Sequence, residues 1–190
     1  MIVVDANIII YLVRETPLTS LAREVYARDS DWVVPEIWEA EVLNGLLREV
    51  RAGYLELKHA ITAATNAALI LSGKAHKCEH SAVLRIAQDA GLTAYDAYYV
   101  ALARSLGVPL VTEDGKIIKN CSDTARSIKM FLGMPDFPSS VREPTPAYGR
   151  SKKQKQALHG AKPVPAFKAY KGKFPLTNEF INEAKREGRA

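Results

Sequence analysis

Cysteine occurs only twice in the 190 residues, as Cys78 and Cys121. Two thiols this far apart build neither a disulfide framework nor a zinc site, and a reducing cytoplasm is the expected compartment. Long hydrophobic runs are missing as well. No stretch of about 18 uncharged apolar residues occurs, so no helical membrane span is expected. The opening Met1-Ile2-Val3-Val4-Asp5 has no basic n-region and no small-residue cleavage site after it, so a signal peptide is not expected either. Phosphate-cradling glycine motifs are absent, no histidine pair or Ser/His/Asp arrangement stands out as a site, and no segment repeats. What remains is 47% apolar and 25% charged, which suits one ordinary domain with an extension, or two very small domains.

Charge is divided unevenly. Residues 1–140 carry 14 basic and 17 acidic side chains, a net of −3, whereas residues 141–190 carry 12 and 4, a net of +8. The whole positive surplus sits in the last quarter of the chain, the pattern of a basic arm attached to a globular domain.

Short apolar segments alternate with helical ones. Ile2-Val3-Val4 reads as a buried strand, with a helix starting near Asn7 after the capping residues of Asp5-Ala6-Asn7. Thr19 to Arg28 reads as an amphipathic helix and Trp32-Val33-Val34 as a second strand. Pro35 is expected to open a long helix that runs to about Arg51 and stops near Gly53. Leu55–Leu71 and His80–Ala90 read as helices closed by Gly73 and Gly91, and Thr93 caps a helix ending at Gly107. Val108–Thr112 is a third expected strand and Ile128–Leu132 a last one. The alternation predicts an α/β domain with a small parallel sheet of four to five strands and helices on both faces. The domain is expected over 1–135, followed by a Pro/Lys-rich arm over 136–190 with one short helix, Thr177 to Glu187.

Four acids stand at the ends of these elements. In an open parallel sheet, ligands bind beyond the carboxyl ends of the strands, where Asp5 and Asp114 fall. Glu41 lies at the margin of the stripe Trp38, Val42, Leu46 and Val50. Asp96 flanks an apolar side made by Tyr95, Tyr99, Leu102 and Leu106. Each acid also has an ordinary structural explanation. Asp5 can cap the helix after it, Thr93 and Asp96 can form a capping box, Asp114-Gly115 is a common turn, and Glu41 can be a solvated helix residue. Periodicity and spacing alone give an α/β domain with an acidic cleft. His59, His76, His80 and His159 lie away from the four acids and read as surface or packing residues.

Four segments resemble, in order, the motifs of the PIN-domain nucleases. They are Val3-Val4-Asp5-Ala6-Asn7, the run from Val34 to Leu46, the run from Gly91 to Ala103, and Leu110-Val111-Thr112-Glu113-Asp114. Order and spacing are most similar to the compact VapC-type toxins of toxin–antitoxin pairs, and the likeness covers residues 1 to about 133. The resemblance implies a small parallel sheet with helices on both faces and a Mg²⁺- or Mn²⁺-dependent ribonuclease. It makes Asp5, Glu41, Asp96 and Asp114 the metal-binding, catalytic acids, with Asn7 and Thr112 in support. A homodimer, an RNA substrate and a cognate antitoxin partner are implied with it. Carboxylate chemistry agrees, because clustered acids stay partly protonated unless a divalent cation neutralises them, and Mg²⁺ takes hard oxygen ligands.

Two rival classes are weaker. A receiver-type phosphoryl-transfer domain needs an acid pair where Asp5-Ala6 stands, and a haloacid-dehalogenase-type phosphatase needs a second Asp in place of Asn7. A non-catalytic PIN module that grips RNA or protein has no need of four intact acids. The arm lies beyond the resemblance. Lys152, Lys153 and Lys155 form one basic cluster, and Lys168, Tyr170 and Lys171 interleave charge with an aromatic ring. Lysines neutralise phosphates and rings stack on unpaired bases, so these six are candidate RNA contacts beside the alternatives of a solvated tail or an autoinhibitory segment.

Overall fold

The computed structural model describes residues 1–134. The expected arm over 136–190, its helix at 177–187 and the six candidate RNA contacts lie outside the described residues.

The chain begins with β1 (Ile2–Val4), whose three residues are all buried, and continues into α1 (Ala6–Val13) and α2 (Thr19–Arg28). Next come β2 (Trp32–Pro35), the helices α3 (Trp38–Ala52) and α4 (Leu57–Ile70), and β3 (Ala75–His76). The second half runs α5 (His80–Ala90), α6 (Ala94–Leu106), β4 (Leu110–Val111), α7 (Gly115–Asn120), β5 (Ala125–Arg126) and α8 (Ile128–Leu132). All strand pairs are parallel, in the order β3-β2-β1-β4-β5. Val3 pairs with Val33 on one side and with Leu110 on the other.

Strand order and chain order together fix the layers. From β1 the chain steps outward to β2 and β3, then crosses back over the sheet to β4 and β5. Right-handed crossovers then put the two sets of helices on opposite faces. On one face α6 packs against β1, β2 and β4 with α5 upon it; on the other α1 to α4 pack together, joined by α8 against α2. A parallel sheet covered twice needs apolar strands, and Ile2, Val3, Val4, Val34, Leu110 and Val111 are all essentially inaccessible. Trp32 seals the base of β2, with Tyr26 edge-on at a centroid distance of 5.2 Å. Where α1 crosses α3, a Cβ at Gly45 would run into Cδ1 of Ile10, the end of a side chain that would have to shift to make room.

The structure corrects the sequence reading in several places. Pro35 ends β2 instead of opening a helix. It pairs with His76, the Glu36 amide donates to the His76 carbonyl over 3.0 Å, and α3 starts only at Trp38. Ile128–Leu132 is a helix, not a strand. The Ser127 side chain accepts from the Met130 amide, Glu113 accepts from the Ile128 amide over 2.8 Å, and Gly133 stops the turn at φ 69°. Among the described residues the last strand is Ala125–Arg126, and neither it, β3 nor α7 is expected from the sequence.

Candidate active site

β1 and β4 lie side by side where the direction of winding reverses, and such a switch point opens a crevice at the carboxyl ends of its strands. Asp5 and Thr112 leave the sheet there. Asp5 is the N-cap of α1, and its Oδ1 accepts from the Ala6 amide at 2.6 Å. Its Oδ2 accepts from the Thr112 hydroxyl at 2.6 Å and from Asn7 Nδ2 at 2.9 Å. Three donors on one carboxylate would ordinarily hold it ionised. Burial overrides them and, with the charges of Glu41 and Asp96, pushes Asp5 up to about 7.

Glu41 reaches the same place from α3, and Asp96 from the first turn of α6. Burial raises the Glu41 carboxyl, the Asp96 charge raises it further, and Tyr99 and Arg48 act in the opposite direction. One Glu41 oxygen, Oε2, is buried without a hydrogen-bond partner, as is Oδ1 of Asn7. Asp96 completes the capping box expected from sequence: its Oδ2 accepts from the Thr93 hydroxyl at 2.7 Å, and its own amide donates to Thr93 Oγ1 at 3.2 Å. The ordinary explanations of Asp5 and Asp96 therefore hold as well. Capping fixes each side chain, and the topology brings the capped ends together.

Asp114 is tied to the group less directly. Its amide donates to Thr112 Oγ1 over 3.0 Å, while its Oδ1 caps α7 by accepting from the Lys116 and Ile117 amides. The structure thus joins Asp5, Asn7, Thr112 and the Asp114 backbone by hydrogen bonds, and couples Asp5, Glu41 and Asp96 by charge. Among the described residues, no three His, Cys, Asp or Glu side chains converge tightly enough to form a ready-made metal cage. The donors that do gather are all oxygens, the set that a hard divalent cation with several retained waters accepts.

Tyr99 was read from sequence as an apolar-face residue. It is 1% exposed, and burial together with the charges of Asp5, Glu41 and Asp96 holds its phenol far above the ordinary value. The only signal in the sequence is a hydroxyl three residues after Asp96 on a face otherwise made by Tyr95, Leu102 and Leu106. Tyr95, placed on that same side from periodicity, is instead 61% exposed. A cavity of about 350 Å³ opens between Arg104, Pro109, Asp123 and Arg126, and touches none of Asp5, Glu41, Asp96 and Asp114.

A family model of the PIN domain matches residues 2–122, a span that contains all four acids. The fold is similar to the crystal structure of PAE2754 from Pyrobaculum aerophilum, with a TM-score of 0.54 and 25% identity over 70% of this chain and 86% of that one. It is also similar to FitAB bound to IR36 DNA fragment, with a TM-score of 0.53 and 18% identity over 67% of this chain and 95% of that one, a likeness of fold alone. No curated protein matches the chain at a significant level.

Proposed function

The chain belongs to the PIN-domain family, and from that premise we propose that it is a Mg²⁺- or Mn²⁺-dependent endoribonuclease, the toxin of a toxin–antitoxin pair. PIN domains are generally nucleases and typically use divalent metal ions. The observation that carries the reading is the acid cluster at the switch point, where Asp5 is pushed to about 7 and Glu41 Oε2 is buried without a partner. Buried carboxylates repel one another and are costly to ionise, and a cation at the same place removes both penalties. The oxygen-only donor set fits such an ion, with Asp5, Glu41, Asp96 and Asp114 as the residues that would hold it. When bound, a divalent ion supplies an acidified water and offsets charge at the phosphorus being attacked.

The protein's own groups set the stage for that chemistry. Thr112 and Asn7 grip Asp5 Oδ2, so the carboxylate cannot rotate freely. The Thr93 hydroxyl does the same for Asp96. Preorganisation of this kind matters because transition-state stabilisation is lost when charged groups must reorient during the reaction.

The family resemblance further supports RNA as substrate, a cognate antitoxin as partner, a homodimer as assembly and the cytoplasm as compartment. The 141–190 segment, at +8 beside a domain at −3, is the natural source of phosphate contacts. Incubation of the protein with a mixed RNA pool in Mg²⁺, with sequenced ends, tests the activity. Cleavage is expected to stop with EDTA, return with Mn²⁺ and fail in Asp96→Asn. Wild-type cleavage by Asp96→Asn, or cleavage indifferent to EDTA, overturns the assignment.

A further inference from the structure

α6 is longer than the strands it covers. Its 13 residues span about 20 Å, whereas β1 and β4, with 3 and 2 residues, span about 10 Å or less. The chain turns from α6 into β4 through residues 107–109 alone, so α6 runs against the strands. Its first turn therefore projects past their carboxyl ends, where Asp5 and Thr112 leave the sheet. Burial records the overhang. Tyr95 and Tyr99 stand one turn apart on the same helix face. Tyr99 belongs to the core at 1% exposure, and Tyr95 is 61% exposed. Helical side chains lean toward the N-terminus, so the Tyr95 ring lies over the turn that begins at Thr93, the residue whose hydroxyl holds Asp96. Among the described residues the ring makes no hydrogen bond and no ring contact. A face made for packing thus continues, as a bare aromatic ring, one residue from an acid of the proposed site.

The same rim carries an anchored cation. Lys116 Nζ donates to the carbonyl of Gly91, two residues before Thr93, and the Lys116 amide donates to Asp114 Oδ1 over 2.8 Å. The side chain is exposed, so its ammonium keeps donors for solvent or for a phosphate. An exposed ring beside a fixed cation is the combination that single-stranded nucleic acid engages, the base by stacking and the backbone by charge.

We propose that Tyr95 is the platform on which an unpaired base stacks, next to the phosphate that the acids cleave. This deepens the ribonuclease reading and rests on it. Tyrosine offers a large flat surface with only two side-chain torsions to freeze. Solitary exposed aromatics need no special role, and Tyr54, 62% exposed beyond the C-terminal end of α3, is such a residue. Tyr95 differs in its place. It adjoins Asp96, whereas Tyr54 lies at the opposite end of α3 from Glu41.

The test is the affinity of the full-length protein, in Mg²⁺, for a short labelled single-stranded oligoribonucleotide and for an abasic strand of equal length. Asp96→Asn in every protein prevents cleavage, and Tyr95→Ala, Tyr95→Phe and Tyr54→Ala are compared with that parent. Tyr95→Ala is expected to bind the oligoribonucleotide about fivefold more weakly or worse and the abasic strand as the parent does. Tyr95→Phe, which keeps the ring, and Tyr54→Ala are expected to match the parent on both. Equal affinity of Tyr95→Ala and the parent for the oligoribonucleotide overturns the stacking role, and cleavage by wild type then leaves the nuclease reading intact. An equal loss on the abasic strand, or the same loss in Tyr54→Ala, overturns it as well. A base-dependent loss in Tyr95→Ala without RNA cleavage by wild type keeps the stacking platform and removes the nuclease reading. Absence of RNA binding by the parent overturns both.

Discussion

The Thr112 hydroxyl donates to Oδ2 of Asp5 across 2.6 Å, joining residues 107 positions apart at the ends of two neighbouring strands. Oγ1 of Thr112 also accepts from the Asp114 amide at 3.0 Å, so one hydroxyl holds both the first acid and the loop that carries the last. Thr112 is fully buried, and its geometry is set by β4 on one side and the start of α7 on the other.

Replacing Thr112 by Val preserves shape and deletes this donor. A buried hydrogen bond to a charged group contributes about 1.5–3 kcal/mol, and the Asp114 amide would lose its acceptor too. Thr112→Val is therefore expected to lose about 2 kcal/mol or more by urea denaturation at pH 8, where Asp5 is ionised, together with most RNA cleavage. Thr112→Ser keeps the hydroxyl and is expected to stay close to wild type in both. Equal losses in the two variants would show that the methyl group, not the hydroxyl, matters at this position.

A second expectation concerns pH. Asp5 titrates near 7 in the folded protein against 3.8 as its ordinary value, so between those values the native state holds a proton that the unfolded chain has released. Unfolding then releases protons, and stability falls as pH rises from about 4 to about 7. From Asp5 alone the loss is on the order of 4 kcal/mol, and Glu41, also raised by burial, acts in the same direction. Asp31 and Asp123, lowered by hydrogen bonds to Lys74 and Arg104, contribute with the opposite sign but only at more acidic pH. Urea denaturation in EDTA is expected to give a higher unfolding free energy at pH 5 than at pH 8. Millimolar Mg²⁺ is expected to shrink that difference by favouring the ionised acids. A metal-free protein equally stable at both pH values would show that the carboxylates are not buried as described.

Much of the architecture is legible from local chemistry. The helix ends at Thr93, Gly91, Gly107 and Gly53 announce themselves, since a capping box and left-handed glycines are short-range signals. Ile128–Leu132 is not legible in this way. Four apolar residues around Lys129 fit a buried strand and a single helical stretch equally well, and the deciding bonds come from Ser127 and from Glu113, fifteen residues upstream of Ile128. Pro35 looked like a helix opener because the partner that makes it a strand end, His76, lies beyond α3 and α4. At the site, Asp5, Glu41 and Asp96 carry motif signals, whereas nothing local marks Tyr99 as the buried neighbour of those acids. That neighbourhood exists only after β1, α3 and α6 have assembled.

Neutralising the cluster is expected to separate stability from activity. Glu41→Gln removes a buried charge that has no partner on one oxygen and relieves the upward pressure on Asp5. In EDTA at pH 8 the variant is expected to melt above wild type, the reverse of the usual effect of a polar core substitution. Its RNA cleavage is expected to fall by about 10²-fold or more, the scale seen when a charge-stabilising group is lost from an active site. A Glu41→Gln protein that melts lower and cleaves normally would place Glu41 outside the catalytic group.

The final prediction concerns residues 141–190. The domain up to Ser140 carries −3, and its proposed site is the most acidic part of it, so an RNA backbone approaching this surface is repelled before any ion is bound. The segment beyond it carries +8, with Lys152, Lys153 and Lys155 in one group and Lys168, Tyr170 and Lys171 in another. Each phosphate that a lysine neutralises releases condensed counterions, and for single strands the logarithm of affinity falls with a slope of about −0.7 per contact against the logarithm of salt. A chain ending at Ser140 is therefore expected to bind single-stranded RNA more weakly than the full chain and with a visibly flatter salt dependence. Asp96→Asn in both proteins prevents cleavage during the measurement. Substituting Tyr170 alone by Ala is expected to weaken binding while leaving the salt slope unchanged, because a stacked ring releases no counterions. Equal affinity and equal slope for the long and short chains would show that the basic segment is no RNA ligand. Faster cleavage by the short chain, measured with the acids intact, would instead assign the segment to the acidic cleft of its own domain.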